Sequence, residues 1–227
     1  MKNPKSKLYS VITADIVNSS KLTIAQHKKL ISIVKKCSLE IQKIHPSLFQ
    51  YTPEYFRGDS WQLVLKKPEF ALEVVLFYRA FLRAKMKNNT TDARMAISIG
   101  SIEYVKKHFG VGEAYKISGE TLDLKGKRRL KFVFNDNTMS NFLDLIVENS
   151  DFISSKWTFK QSQIIVLALS NFNQLKIADK IKISQQAVSQ QLDSAGWSVI
   201  SRNMMYFKQT VLNLNNNRIQ AFKLVMI

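Results

Sequence analysis

The spacing of apolar residues changes character once along this chain, at Asn135-Asp136-Asn137-Thr138, and that change constrains the fold more than any other feature. Before it, short β-branched runs alternate with helical patterns. Leu8 to Asp15 is apolar, β-branched and bounded by polar residues, the signature of a buried strand. Leu30, Ile33, Val34, Cys37, Ile41 and Ile44 then recur at helical spacing, with lysines on the opposite face and Pro46 as the stop. Tyr51–Phe56 and Trp61–Leu65 flank Arg57-Gly58-Asp59-Ser60 as a hairpin would. Pro68 opens a helix running to about Lys87, a position where its missing N–H costs nothing. Met95–Ile102 predicts a strand, Glu113–Leu124 a helix and Leu130–Phe134 a last strand.

The order β-α-β-β-α-β-α-β is the ferredoxin-like plan, an antiparallel sheet with helices on one face. After the break every pattern is helical: 141–147, 158–169, 174–181, 185–194 and 199–214, with Asn215-Asn216-Asn217 as a stop and an apolar tail from Ile219 that is expected to pack against something. The chain therefore divides into an α+β domain over 1–134, a linker helix over 135–154 and an all-α domain over 155–227.

Charge narrows the partners. Lys and Arg number 34 against 17 Asp and Glu, a net charge of +17, which favours polyanions such as nucleic acid, nucleotides or acidic surfaces. Residues 1–140 hold 25 basic and 12 acidic residues and 141–227 hold 9 and 5, so the excess is not confined to the helical part. The single Cys37 excludes a disulfide framework, and His27, His45 and His108 lack metal-ligand spacing. No apolar stretch is long enough to span a bilayer, and a cytoplasmic protein without membrane association is expected.

Two constellations carry chemistry. In the helical part, residues 174–181, the turn Lys182-Ile183-Ser184 and residues 185–192 resemble a bacterial helix-turn-helix. Ala178 is small where two helices cross, Ile183 is expected to plug the turn, Ser184 to cap the second helix, and Val188 and Leu192 to form its buried stripe. Thr158-Phe159-Lys160-Gln161 has the capping-box pattern of a supporting helix. Ser184, Gln185, Gln186, Ser189 and Gln190 are left as the DNA-reading face, since Gln can hold adenine with two hydrogen bonds in the major groove of double-stranded DNA. In the first part, Asp15 closes the first strand and Asp59 sits in the hairpin turn, so both carboxylates can meet at one sheet edge and hold magnesium. The loop Asn18-Ser19-Ser20 would offer backbone N–H groups to nucleotide phosphates.

Ala14-Asp15-Ile16-Val17-Asn18-Ser19-Ser20, Gly58-Asp59, Arg94-Met95-Ala96-Ile97-Ser98-Ile99-Gly100 and Gly112-Glu113-Ala114 resemble, in order, the blocks of the class III adenylate/guanylate cyclase-like domain. Such a domain followed by a helix-turn-helix looks like the SatD family of bacterial proteins. The resemblance implies that Asp15 and Asp59 are the metal aspartates. It places Tyr55 where active cyclases keep a purine-selecting Lys, Phe109 where a companion acid stands, and Lys116 and Glu120 where the transition-state Asn and Arg stand. A glutamate cannot neutralise charge growing on a phosphoryl group. What is implied is a regulator, expected to be a homodimer, with a degenerate nucleotide-binding sensor in which Tyr55 and Lys116 border the nucleotide. The alternative is an active magnesium-dependent cyclase or related phosphoryl-transfer enzyme, with Lys116 or the run Lys125, Lys127, Arg128, Arg129 and Lys131 supplying positive charge; a third reading has both parts serving assembly only.

Overall fold

A computed structural model describes the backbone of residues 7–51, 54–56, 59–87, 91–106, 109–124, 126–135 and 137–224, and the side chains of these except 54–56, 104–106, 109, 137 and 217–224. The elements of the first part are β1 (Tyr9–Ile16), α1 (Ile24–Ile44), β2 (Glu54–Phe56), β3 (Ser60–Leu65), α2 (Ala71–Met86), β4 (Ala93–Gly100), β5 (Tyr104–Lys106), β6 (Phe109–Val111), α3 (Glu113–Asp123) and β7 (Leu130–Phe134). Those of the second are α4 (Asn137–Ser155), α5 (Phe159–Leu169), α6 (Gln174–Ile181), α7 (Gln185–Ser194) and α8 (Trp197–Leu224). No helix among the described residues is long and apolar enough to cross a membrane.

The result is a mixed α+β fold around a five-stranded sheet in the order β2-β3-β1-β4-β7. It departs from the expected plan in three ways. The sheet is not wholly antiparallel, because β7 runs parallel to β4 through the α3 crossover. The helices are not all on one face. Ile12, Ala14, Trp61, Leu63, Met95 and Ile97 join the main core with α1 and α2, whereas Thr13 and Ser98, of opposite parity, hydrogen-bond Ser118 and the Ala114 carbonyl of α3 (2.8 and 2.6 Å). Finally, β5 and β6 form a small separate hairpin that the pattern of residues 103–111 did not announce.

Local chemistry fixes several boundaries. Thr23 and Gln26 close a capping box at the start of α1. Gly112 starts α3 at φ 145°, and a Cβ there would lie 2.9 Å from the Ile102 Cα, so backbone approach demands glycine. The exposed edge of the sheet is closed by α4: the N–H groups of Arg129, Phe132 and Phe134 donate to Asp151, Asp144 and Ser140 at 2.9, 3.1 and 3.0 Å. Three side chains on one helix face thus satisfy donors that would otherwise template another strand.

One apolar cluster runs from Leu8, just before β1, through α2 to Trp157, Ile177, Val188 and Phe207. A buried ionic network crosses the same boundary. Arg79 is 0 % exposed; it donates to Asp92 and Asp151, both at 2.6 Å, and to Ser154 at 2.8 Å. Arg83 donates to Asp92 at 2.8 Å and to the carbonyls of Ser154 and Trp157 at 2.8 and 3.0 Å, closing the C-terminal end of α4. Burial lowers the pKa of Arg83, with Asp92 opposing that shift.

This network explains why apolar spacing marked only 141–147 of α4, the helix that fills the expected linker 135–154. Its inward face carries polar residues that an apolar-periodicity argument discards: Asp151 and Ser154, bonded by Arg79 and Arg83, and Ser150, which accepts from Asn203 of α8 at 3.0 Å. Similarly, α8 begins at Trp197 and continues through Asn215-Asn216-Asn217 instead of stopping there. The expected packing of the tail falls on residues 217–227, whose side chains lie outside those described.

Candidate functional site

The two groups of residues singled out by the sequence differ in how closely the fold brings them together. The first lies in a cleft at the end of β1, lined by Asp15, Asn18, Ser19, Ser20, Asp59, Arg94 and Arg129 among others. Antiparallel pairing sets Asp15 opposite Ser60 on one side and opposite Arg94 on the other, which brings Asp59 to the same edge. Asn18 adopts the left-handed conformation (φ 56°) and leads into a short 3-10 turn, Ser19–Lys21, that His27 anchors through the Ser19 carbonyl at 2.9 Å. Val17 N–H donates to the Asp92 carbonyl at 3.0 Å, tying this loop to the residue that holds both buried arginines.

The structure therefore brings together Asp15, Asp59, Asn18, Ser19 and Ser20. It does not bring Lys116 to them: Lys116 is exposed on α3, 3.8 Å from the Glu120 carboxylate, and does not line the cleft. Tyr55 pairs with Trp61 across the hairpin, and its side chain lies outside the described residues, as do Arg57 and Gly58. Trp61 is buried core, tilted against Tyr78.

Arg94 is the residue that sequence reasoning missed. Its guanidinium grips Asp15 at both oxygens, Nε to Oδ1 at 2.9 Å and Nη2 to Oδ2. The Asp15 hydrogen bond raises the Arg94 pKa, partial burial opposes that, and Asp59 adds to the stabilisation of the cation. Arginine thus supplies the compensating charge that a divalent ion was expected to supply. Both Asp15 oxygens are occupied, and the described residues contain no cluster of three or more metal-ligating side chains. In this arrangement Arg94 faces both Asp15 oxygens, so a divalent ion there would have to share Asp15 with the guanidinium or displace it. The only signal in the sequence was Arg94 at the head of a strand, and its target depends on the β1–β4 register.

The second site is the surface of α7. Asn173 caps α6, its side chain accepting from Lys176 N–H at 3.0 Å, and α6 ends at Lys182 in the left-handed conformation. Ser184 then caps α7, accepting from Ala187 N–H at 3.1 Å. Ile177, Ala178, Val188 and Leu192 are buried at the joint. Ile183 departs from expectation: it is 38 % exposed and does not plug the turn. Ser184, Gln185, Gln186 and Gln190 are exposed and Ser189 is half-buried. Thr158 and Gln161 form the expected capping box at the start of α5, and the Trp157 indole N–H donates to the Ala195 carbonyl at 2.8 Å, fixing the end of α7.

No family model matches the chain, and no curated protein matches it. Among solved structures it is similar to the crystal structure of the guanylyl cyclase Cya2, with a TM-score of 0.41 and 14% identity over 60% of this chain and 78% of that one.

Proposed function

We propose that this protein is a DNA-binding transcriptional regulator of the SatD kind, in which the sheet half is a degenerate nucleotide cyclase-like sensor. The observation that carries the reading is α7. Gln186 and Gln190 project from a capped helix whose opposite side is anchored by Val188 and Leu192, and Gln185 is exposed at its first turn. Exposed amides on a rigid helix can read base edges, and Ser184 and Ser189 can hold base or phosphate. Lys160, Lys176, Lys180 and Lys182 are exposed nearby in sequence and would meet the backbone phosphates. Two α7 helices in a homodimer would read half-sites about 34 Å apart.

For the sensor, Arg94 and Arg129 supply two cationic groups beside the Ser19–Lys21 turn, which suits a phosphorylated small molecule such as a nucleotide. Magnesium would accompany it only where phosphate draws Arg94 off Asp15. The clasp on Asp15, and a Glu at position 120 that cannot neutralise a phosphoryl group, favour this reading over an active cyclase. The test is fluorescence anisotropy of the full chain with duplex DNA across a salt series. Binding that weakens steeply with salt is expected. Absence of binding at about 50 mM salt would overturn the reading.

A further inference from the structure

The helical DNA reading leaves most of the chain's positive charge unused, and the fold gathers part of it on one helix. α1 carries five lysines, Lys28, Lys29, Lys35, Lys36 and Lys43, against one acid, Glu40. All five are exposed, while Leu30, Ile33, Val34, Cys37 and Ile41 bury the opposite face. At 100° per residue the lysines fall on one stripe, which from Lys28 to Lys43 is about 22 Å long at 1.5 Å per residue. Glu40 lies at its edge and pairs with Lys43 at 3.0 Å. Lys28, Lys29 and Lys36 have no ion pair among the described residues. Placing like charges at this density costs stability unless an opposite charge is near.

We propose that the exposed face of α1 is a second nucleic-acid contact, one that grips the phosphodiester backbone without reading sequence. The charge pattern commits to this partner. A row of cations along a rigid rod complements a polymer carrying one negative charge every 1.7 Å or so of duplex axis. Lysine, a flexible point charge, suits phosphate without selecting a base. A lipid surface is the poorer match, because the apolar face of α1 is spent on the core and only Ile24 and Leu39 remain exposed on the stripe. The proposal goes beyond the α7 reading: α1 packs on α2, whereas α7 packs on α5, α6 and α8, so the two surfaces belong to different parts of the fold.

The experiment uses the full chain, a fluorescent duplex of arbitrary sequence and the triple variant Lys28→Gln, Lys29→Gln, Lys36→Gln. Gln is a good helix former at exposed positions, and an unchanged thermal melt establishes folding. Three fewer phosphate contacts should lower the slope of log affinity against log salt by about 2.7. Wild type should therefore lose about 40-fold more affinity than the variant between about 50 and 200 mM salt. An unchanged slope overturns the proposal, as does lysine-dependent binding to phosphatidylserine vesicles without any change on DNA. A parallel Gln186→Ala, Gln190→Ala variant separates the two claims. If it alone alters DNA binding, α1 is refuted and α7 stands; if the lysine variant alone does, the reverse holds.

Discussion

Arg79→Met tests the account of how the two halves are joined. Methionine keeps most of the side-chain length and its apolar stem but removes the guanidinium from a fully buried site. Asp92 would keep Arg83 at 2.8 Å and the Ala93 N–H at 2.9 Å, so it remains compensated. Asp151 would keep only the Arg129 N–H at 2.9 Å among the described donors and would lose its direct ion pair, with Arg83 and Arg128 acting on it only through space. Breaking one side of a buried pair costs about 3–5 kcal/mol, and at about 2–4 °C per kcal/mol for a chain of this size the melting temperature should fall by about 6–20 °C. Urea titrations followed by tryptophan fluorescence and far-UV circular dichroism measure the loss. Adding Asp151→Asn should recover part of the loss, because the unpaired charge is gone. A deficit below about 1 kcal/mol would refute the reasoning.

Three further outcomes follow from particular contacts. Arg94→Ala frees both oxygens of Asp15, so magnesium binding measured by calorimetry should be tighter in the variant than in wild type; equal or weaker binding would contradict the clasp. Cys37 is buried, and burial first, with Glu40 adding, pushes its thiol well above the usual range. It should resist a thiol reagent until the protein unfolds, and because the folded thiol holds its proton longer, stability should fall as pH rises past about 8.5. Gly112→Ala meets the backbone of residues 102 and 103 at a positive φ and should cost about 1–3 kcal/mol in a thermal or urea melt.

How much of this was legible in the sequence varied with the physics behind each element. Strands and helices with one-sided apolar periodicity, such as β1, α1, α6 and α7, could be read because a single rule governs them. Caps at Thr158 and Ser184 were equally local, each decided within four residues. The course of β7 was not, since its parallel pairing with β4 depends on where α3 crosses. The second half of α4 was legible only as a linker, since its buried Asp151 and Ser154 make sense only beside Arg79 and Arg83, about seventy residues earlier. The cleft was half legible. Asp15, Asp59 and the Asn18–Ser20 loop converge as the order of elements implies, but the register that hands Asp15 to Arg94 is tertiary information. Ile183 shows the converse failure, an apolar residue in a turn that the packing leaves in solvent.

The central claim, that α7 reads DNA sequence, is tested most directly by selection from a pool of randomised duplexes. The full-length protein is incubated with the pool at low salt and the bound fraction is sequenced over several rounds. Wild type should enrich a defined motif, and Gln186→Ala with Gln190→Ala should flatten it by about 1–3 kcal/mol of discrimination at the affected positions while total binding falls less. A pool that stays random with wild type, or a motif that the double variant enriches equally well, would contradict the account.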